Sequence, residues 1–175
     1  MTCIISFELL EQLVTRSRSS SRLRQHLNLH SSYQDPCQRL LNAVQPSSYI
    51  RPHRHSLAPR VETLLAVRGV FALVVFGEAG DVTSSTLFGS ELIASEGQLA
   101  FGVEVQPQQW HSVIALREDS VLFEVKAGPF DPGAAKEFAD WAPEEGSPEA
   151  ISYLRWLRSV ALDEDRSLWC TRRER

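Results

Sequence analysis

Short segments of alternating or continuous apolar character, separated by turn residues, occupy the middle of this 175-residue chain. We predict eight β-strands there, at residues 49–55, 62–68, 70–76, 82–88, 91–94, 99–105, 111–116 and 121–126. The turns between them contain glycine or clustered polar residues, as at Arg68-Gly69, 77–81 and 117–120. Many short, evenly spaced strands are typical of an antiparallel sandwich or barrel, so we predict an all-β fold.

A helix is predicted before the strands, at residues 6–17, with Ser6 as its N-cap. Its apolar residues fall at helical spacing and form one stripe, made of Leu9, Leu10, Leu13 and Val14. The polar stretch 22–35 is predicted to be loop, whereas the pattern at 38–44 fits either a strand or a helical turn.

A second helix is predicted after the strands, at residues 149–162. Ser147 is its expected N-cap, and Pro148 suits the first helical position because proline lacks the N–H that would be unpaired there. The apolar face of this helix consists of Tyr153, Leu154, Trp156, Leu157 and Val160.

The length of the chain fits a single compact domain, which can fold without disulfides. We expect three parts: a helix and loop over 1–35 that pack on the barrel, the barrel itself over 36–130, and a loop and helix over 131–175. The cysteines are odd in number and widely spaced, at Cys3, Cys37 and Cys170. Such usage is typical of reduced thiols in a cytoplasmic protein.

Charge and hydropathy exclude several classes of partner. The net charge of -4 argues against a nucleic-acid binder, since phosphate recognition needs a basic surface. The longest apolar runs are far shorter than the ~20 residues that span a bilayer, and the N-terminus lacks the features of a signal peptide. We therefore expect a cytoplasmic protein without nucleic-acid or membrane partners.

Three histidines and a glutamate form a pattern that is typical of a metal-binding site. In a strand, His53 and His55 point to the same face, so both imidazoles can approach one point. Glu62 on the next strand and His111 on a distant one can complete the site. Nitrogen and oxygen donors suit a divalent ion such as Fe, Mn, Ni or Zn. The alternative is a group of hydrogen-bonded histidines that holds no metal.

Other polar residues near these positions are candidates for substrate contacts. Tyr49 and Arg51 have the same parity as the two histidines, so we expect both beside the ion unless Pro52 interrupts the strand. We assign them catalytic roles. Arg51 could bind an anionic ligand or form a salt bridge to Glu124 or Glu62.

Glu124 and Lys126 share one face of the last strand, which points either to the barrel interior or to solvent. Glu124 is the candidate catalytic residue of the pair, and Lys126 is the candidate substrate-binding residue. Arg39 is a further substrate-binding candidate at the barrel mouth. Trp110 is either a packing residue or a platform on which a sugar ring stacks.

The metal-site pattern resembles the two sequence motifs of the cupins. His53-Arg54-His55 followed by Glu62 and Gly69 fits the first motif, although six residues separate His55 from Glu62, more than is common. Residues 107–111 resemble the second motif, with glutamine where glycine is usual and one residue fewer between proline and histidine. Many cupins have asparagine where this chain has Ala115.

Further segments resemble the WbuC-family cupin metalloproteins. These are RQHLNLHSSYQDPCQRLLNA, YIRPHRH, WHSVIAL, LFEVKAGPFDP and KEFADWAPEEG, and the resemblance covers about residues 5–146. It implies a double-stranded β-helix, or jelly-roll barrel, with an N-terminal helix, a bound metal, and a C-terminal helical extension at 147–175 outside the resemblance. Members of the family often occur with O-antigen and surface-polysaccharide genes, which implies a link to carbohydrate.

These observations predict a metal-dependent enzyme, either an isomerase, epimerase or lyase, or a dioxygenase if the ion is iron. The expected substrate is a small anionic metabolite related to a sugar or a keto acid. The alternative is a non-catalytic cupin that binds or senses a small molecule. A homodimer is expected because cupins often dimerise.

Overall fold

A computed structural model describes residues 2–57, 59–90, 100–134 and 136–172 of the chain. The helices and strands in these residues are α1 (Phe7–Ser19), β1 (Arg24–Asn28), β2 (Cys37–Val44), β3 (His53–Arg54), β4 (Glu62–Arg68), β5 (Val70–Phe76), β6 (Val82–Gly89), β7 (Gly102–Val105), β8 (Trp110–Ala115), β9 (Ser120–Ala127), β10 (Glu137–Phe138) and α2 (Pro148–Arg172).

The strands form two five-stranded sheets that face each other. The first sheet has the order β1-β2-β9-β4-β7 and the second the order β10-β3-β8-β5-β6. Neighbouring strands within each sheet run antiparallel, and most of these neighbours are distant in sequence. The chain passes back and forth between these two sheets, and together they form a jelly-roll barrel. The predicted fold class is therefore confirmed.

Apolar side chains fill much of the space between the two sheets. This interior cluster contains Val44, Leu64, Ala66, Phe71, Leu73, Val75, Phe88, Val105, Val113, Ala115 and Leu122. β5 is buried along its whole length, because the residues between its interior positions face outward and pack under α2. Its seven-residue apolar run thus reflects burial on both faces.

The connection from β4 to β5 carries the chain from the first sheet to the second at Gly69. This residue has a φ of +80°, a conformation that side chains other than glycine rarely adopt. A Cβ there would lie 2.2 Å from the Oγ of Ser120, so the turn also needs a residue without a side chain. The glycine of the sequence motif therefore marks the point where the two sheets join.

Each helix covers the outer face of one sheet. α1 begins after Ser6, whose Oγ accepts a hydrogen bond from the N–H of Leu9 at 3.2 Å. The buried contact between α1 and the first sheet consists of Leu10, Leu13, Val14, Leu41, Ala43 and Val121. α2 packs on the second sheet through Ala150, Leu154, Leu157 and Ala161. Both helix predictions are confirmed, and α2 is longer than expected.

The loop predicted at 22–35 is wrong over its first part, where β1 pairs with β2 in the register Arg24↔Val44 to Asn28↔Leu40. The strands of the first sheet thus begin inside the segment 1–35. β1 is an edge strand whose residues are all partly buried or exposed, so it lacks the apolar alternation that identifies a strand.

Two other strand predictions differ from the structure. The strand expected at 49–55 is reduced to His53–Arg54, because Pro52 cannot donate a ladder hydrogen bond. The undecided segment 38–44 is a strand, while the strand predicted at 91–94 lies outside the described residues. Neither helix of the described chain has the length and apolar character needed to cross a membrane.

The packing of α1 predicts a large effect at one position and almost none at another. Leu13 is 3% exposed, so Leu13→Ala should lower the free energy of unfolding by about 2–5 kcal/mol through lost burial and a new cavity. Phe7→Ala is the control, because Phe7 is 89% exposed in the same helix and should change stability by less than about 0.5 kcal/mol. Urea unfolding measures both, and equal losses would contradict this account of the α1 contact.

Candidate metal centre

The four predicted ligands meet inside the barrel. Ligating atoms of His53, His55, Glu62 and His111 all lie within 4.8 Å of one another, and all four residues are buried. His53 on β3 stands directly opposite His111 on β8, with ring centroids 4.4 Å apart. Glu62 comes from the first residue of β4, so the cluster joins the two sheets.

Backbone carbonyls orient two of the imidazoles. Nδ1 of His53 donates to the carbonyl of Arg51 at 3.0 Å, and Nδ1 of His111 donates to that of Gln109 at 2.8 Å. A proton on Nδ1 leaves the lone pair of Nε2 available, and this arrangement is usual for histidines that bind metal. Both rings are therefore held in a form that can act as a ligand.

The Glu62 carboxylate lies among groups that keep it ionised. Oε1 is 3.0 Å from Nε2 of His55 and accepts a hydrogen bond from Nζ of Lys126 at 2.7 Å. Oε2 is 3.5 Å from Nε2 of His111. Burial alone would raise the pKa of Glu62, but the contacts with His111, His55 and Lys126 outweigh it and hold the pKa well below its usual value.

Electrostatics also favour the neutral form of His53. Burial lowers the pKa of this imidazole well below its ordinary value, and the positive charge of Lys136 lowers it further. A neutral imidazole and an ionised carboxylate are the forms that bind a metal ion. The donor set of three imidazoles and one carboxylate therefore fits a divalent transition ion.

Glu124 and Lys126 point into the barrel, and this resolves the alternative that the sequence left open. Nζ of Lys126 donates to Oε1 of Glu124 at 2.6 Å as well as to Glu62. Burial lowers the pKa of Lys126, but the two carboxylates raise it by more, so the net shift is upward. The pair therefore connects a metal-ligand candidate to a second carboxylate.

A cavity of about 540 Å³ is lined by Glu124 and Lys126, and Lys126 connects it to Glu62; the four candidate ligands themselves do not line it. Its lining also includes His26 and Asn28 of β1 and Phe138 of β10. Phe138 also stands 6.3 Å from the ring of His53, so the cavity reaches the neighbourhood of the candidate ligands. A volume of this size suits a small molecule.

The side chains of Tyr49 and Arg51 form their hydrogen bonds away from the candidate ligands, so the expected placement of these side chains beside the ion is wrong. The hydroxyl of Tyr49 donates to the carbonyl of Pro143 at 3.0 Å, and the residue belongs to the cluster under α2. Arg51 donates through two nitrogens to the carbonyl of Ala139, at 3.1 and 2.7 Å. Residues 49–52 are not in a strand, so side-chain alternation does not extend back from His53.

Arg39 and Trp110 also face away from the cavity. Arg39 pairs with Asp35 at 2.9 Å, and the β2 residues that line the cavity are its neighbours of opposite parity, Gln38, Leu40 and Asn42. Trp110 precedes His111 and thus points to the other face of β8, where its indole Nε1 donates to Glu78 at 3.1 Å. The packing alternative for Trp110 is therefore the one observed.

Arg54 holds the short strand β3 in place from outside the barrel. It forms two hydrogen bonds to Glu137 of β10, at 3.0 and 2.9 Å, and a third to Glu78 at 3.0 Å. Its guanidinium also lies 4.3 Å above the Trp110 ring. Because Arg54 lies between His53 and His55 in sequence, these contacts fix the strand that presents both imidazoles.

Three cations on the cavity wall, Arg22, Arg24 and Lys136, were not among the sequence candidates. Arg24 lies on the edge strand β1, which was predicted to be loop. Lys136 precedes the two-residue strand β10, which is too short to recognise from sequence. The only signal was local, because Lys136 and Phe138 alternate with Glu137.

Comparisons with known proteins support the fold. A family model described as a domain of unknown function, DUF6016, matches residues 5–88, slightly under half of the chain. The chain matches no curated protein.

Several solved structures are similar to the described chain. The capsular polysaccharide assembling protein CapF from Staphylococcus aureus has a TM-score of 0.53 and 16% identity, over 68% of this chain and 32% of that one. The structure of CapF with the inhibitor 3-isopropenyl-tropolone has a TM-score of 0.54 and 17% identity, again over 68% of this chain and 32% of that one. A cupin 2 conserved barrel domain protein from Rhodopseudomonas palustris has a TM-score of 0.46 and 19% identity, over 79% of this chain and 77% of that one. The chain thus spans about a third of CapF, and the likeness concerns the fold.

The cluster predicts that metal retention depends on His53. The variant His53→Ala should lose the bound ion while keeping its far-ultraviolet circular dichroism, because one ligand is removed from an otherwise packed barrel. His26→Ala is the matched control, since His26 lines the cavity outside the cluster. Mass spectrometry of protein purified without chelator or nickel resin gives the amount and identity of the metal. Equal metal content in wild type and His53→Ala would remove this site from consideration.

Proposed function

We propose that the chain is a metal-dependent enzyme that acts on a small anionic metabolite related to a sugar or a keto acid. The observation that carries the proposal is the position of Glu124 and Lys126, which line the cavity while Lys126 donates a hydrogen bond to Glu62 of the histidine and glutamate cluster. Isomerisation, epimerisation or elimination each need a group that moves a proton near a polarised oxygen. Oxidation by dioxygen is the variant if the native ion is iron.

The metal would be held by His53, His55, Glu62 and His111, and when bound it supplies a positive charge that polarises a substrate oxygen. Fe, Mn, Ni and Zn all accept this donor set. The residues around it then have separate tasks. Lys126 fixes the Glu62 carboxylate through its hydrogen bond of 2.7 Å, and such outer contacts orient metal ligands.

Glu124 is the residue that we assign to proton transfer. Its carboxylate lines the cavity and is held by Lys126 at 2.6 Å, so its position is fixed without a direct bond to a metal ligand. A carboxylate in this position can take a proton from a carbon next to a carbonyl and return it to the neighbouring carbon on the same face.

A link to surface-polysaccharide, or O-antigen, metabolism follows from the resemblance of several segments to the WbuC family. The similar solved structure CapF is named for capsular polysaccharide assembly, which agrees with that link. A sugar acid or a sugar derivative with an acidic group is therefore our preferred substrate class. The homodimer and the cytoplasmic location remain predictions.

The second candidate is a binding or sensing cupin without turnover. An apolar lining around the cluster would favour that function, because no group could then move a proton. The lining instead contains the ionisable side chains of Glu124, Lys126 and Lys136, which favours the enzyme.

The enzyme proposal predicts loss of proton exchange when Glu124 is neutralised. Metal-loaded wild type, incubated in deuterated water with a panel of sugar acids and keto acids, should exchange a proton next to the carbonyl of its substrate, as measured by proton NMR. The variant Glu124→Gln should slow this exchange about 100-fold and keep its metal, because the amide cannot act as a base.

Glu118→Gln serves as the control, since Glu118 is an exposed carboxylate in the turn before β9. Unchanged exchange in Glu124→Gln would contradict the role of this residue. A ligand that binds to wild type but undergoes no exchange or conversion would support the binding module instead.

A further inference from the structure

Lys136 faces the cavity through the same alternation that orients the histidines. β10 pairs with β3 in the register Glu137↔Arg54 and Phe138↔His53. Glu137 points outward to Arg54, so Phe138 and Lys136 on either side of it point inward, and both line the cavity. Continued by one residue, the register places Lys136 beside His55, about 5 Å away at the Cα atoms.

The other cations of the cavity wall already have carboxylate partners. Arg22 and Arg24 both pair with Glu145, at 2.9 and 2.6 Å. Lys126 pairs with Glu62 and Glu124. These three positive charges are therefore balanced within the protein.

Lys136 differs from these cations. Across residues 2–57, 59–90, 100–134 and 136–172, its ammonium group has no ion pair or hydrogen bond with another side chain or carbonyl. The side chain is exposed, so a molecule in the cavity can reach it. Among the described residues, the cavity thus presents one positive charge that has no carboxylate in direct contact with it.

The surroundings of Lys136 make this charge costly in the absence of a ligand. The positive charges of Lys126 and Arg24 repel that of Lys136, while the carboxylates of Glu62 and Glu124 attract it from a distance. An anion beside the ammonium would relieve this cost. The ammonium of lysine is a compact point charge that binds either a carboxylate or a phosphate.

We propose that Lys136 binds the anionic group, a carboxylate or a phosphate, of the ligand that occupies the cavity beside the candidate metal centre. This inference rests on the proposed function and narrows its substrate class to small molecules that carry a carboxylate or a phosphate group. Neutral sugars fall outside the class.

The test compares three probes by isothermal titration calorimetry. D-glycerate carries a carboxylate, glycerol is its neutral analogue, and inorganic phosphate represents the other anion. Wild type should bind at least one anion about ten-fold more tightly than glycerol, as expected for a charged hydrogen bond. Lys136→Ala should remove that preference, and Lys136→Arg should largely keep it. The anion that binds more tightly shows whether the site prefers a carboxylate or a phosphate.

Arg117→Ala controls for net charge, because Arg117 is an exposed cation in the turn after β8, away from the cavity lining. Lys136→Met, which keeps the length of the side chain, controls for misfolding of the alanine variant. Wild-type binding of both anions no tighter than glycerol would overturn the proposal, as would unchanged anion binding in both neutral variants.

Titrations on metal-loaded and chelator-treated protein separate this inference from the proposed function. If wild type retains no metal yet binds an anion through Lys136, the enzyme proposal fails and the anion site stands. If metal is retained and Glu124 supports proton exchange, the enzyme proposal stands. If Lys136→Ala and Lys136→Met then bind the anion as wild type does, the anion site at Lys136 fails.

Discussion

The buried carboxylate of Glu62 is the interaction on which the interior of this barrel depends. It belongs to the first sheet, yet its oxygens contact His55 and His111, and His111 is part of the second sheet. A carboxylate can remain ionised in such a place only when opposite charges or hydrogen-bond donors surround it. Lys126 supplies the positive charge that compensates Glu62. This ion pair therefore positions the Glu62 carboxylate beside the histidines and places charged groups at the cavity.

The interior of the barrel has an apolar part, which stabilises the fold, and a charged part, which lines the cavity. Apolar residues such as Phe71 and Val113 fill one part and hold the sheets together without polar atoms. The remaining part contains charged groups that pair with one another and border an open cavity. Because the helices α1 and α2 close the outer faces of the sheets, the polar interior does not have to supply the stability of the fold.

The sequence predicted that the three histidines and Glu62 come together, but it placed several surrounding residues wrongly, and strand length explains the difference. His53 and His55 are two residues apart, so local alternation was enough to place both on one face. The same rule failed for Tyr49 and Arg51 because the strand begins only at His53. It gave only a weak local signal for Lys136, because the neighbouring strand β10 has two residues and is defined by its pairing with β3.

What the sequence determined by itself was therefore local in origin: the β-rich fold class, the two helices and the four residues that can hold an ion. These features depend on periodicity and residue type within a few neighbours. Only the tertiary structure decided which side chains share the cavity, because that depends on long-range strand pairing, as between Leu40 of β2 and Glu124 of β9. It also decided which cations are neutralised, since the carboxylate that pairs with Arg24 lies far away in the chain, at Glu145.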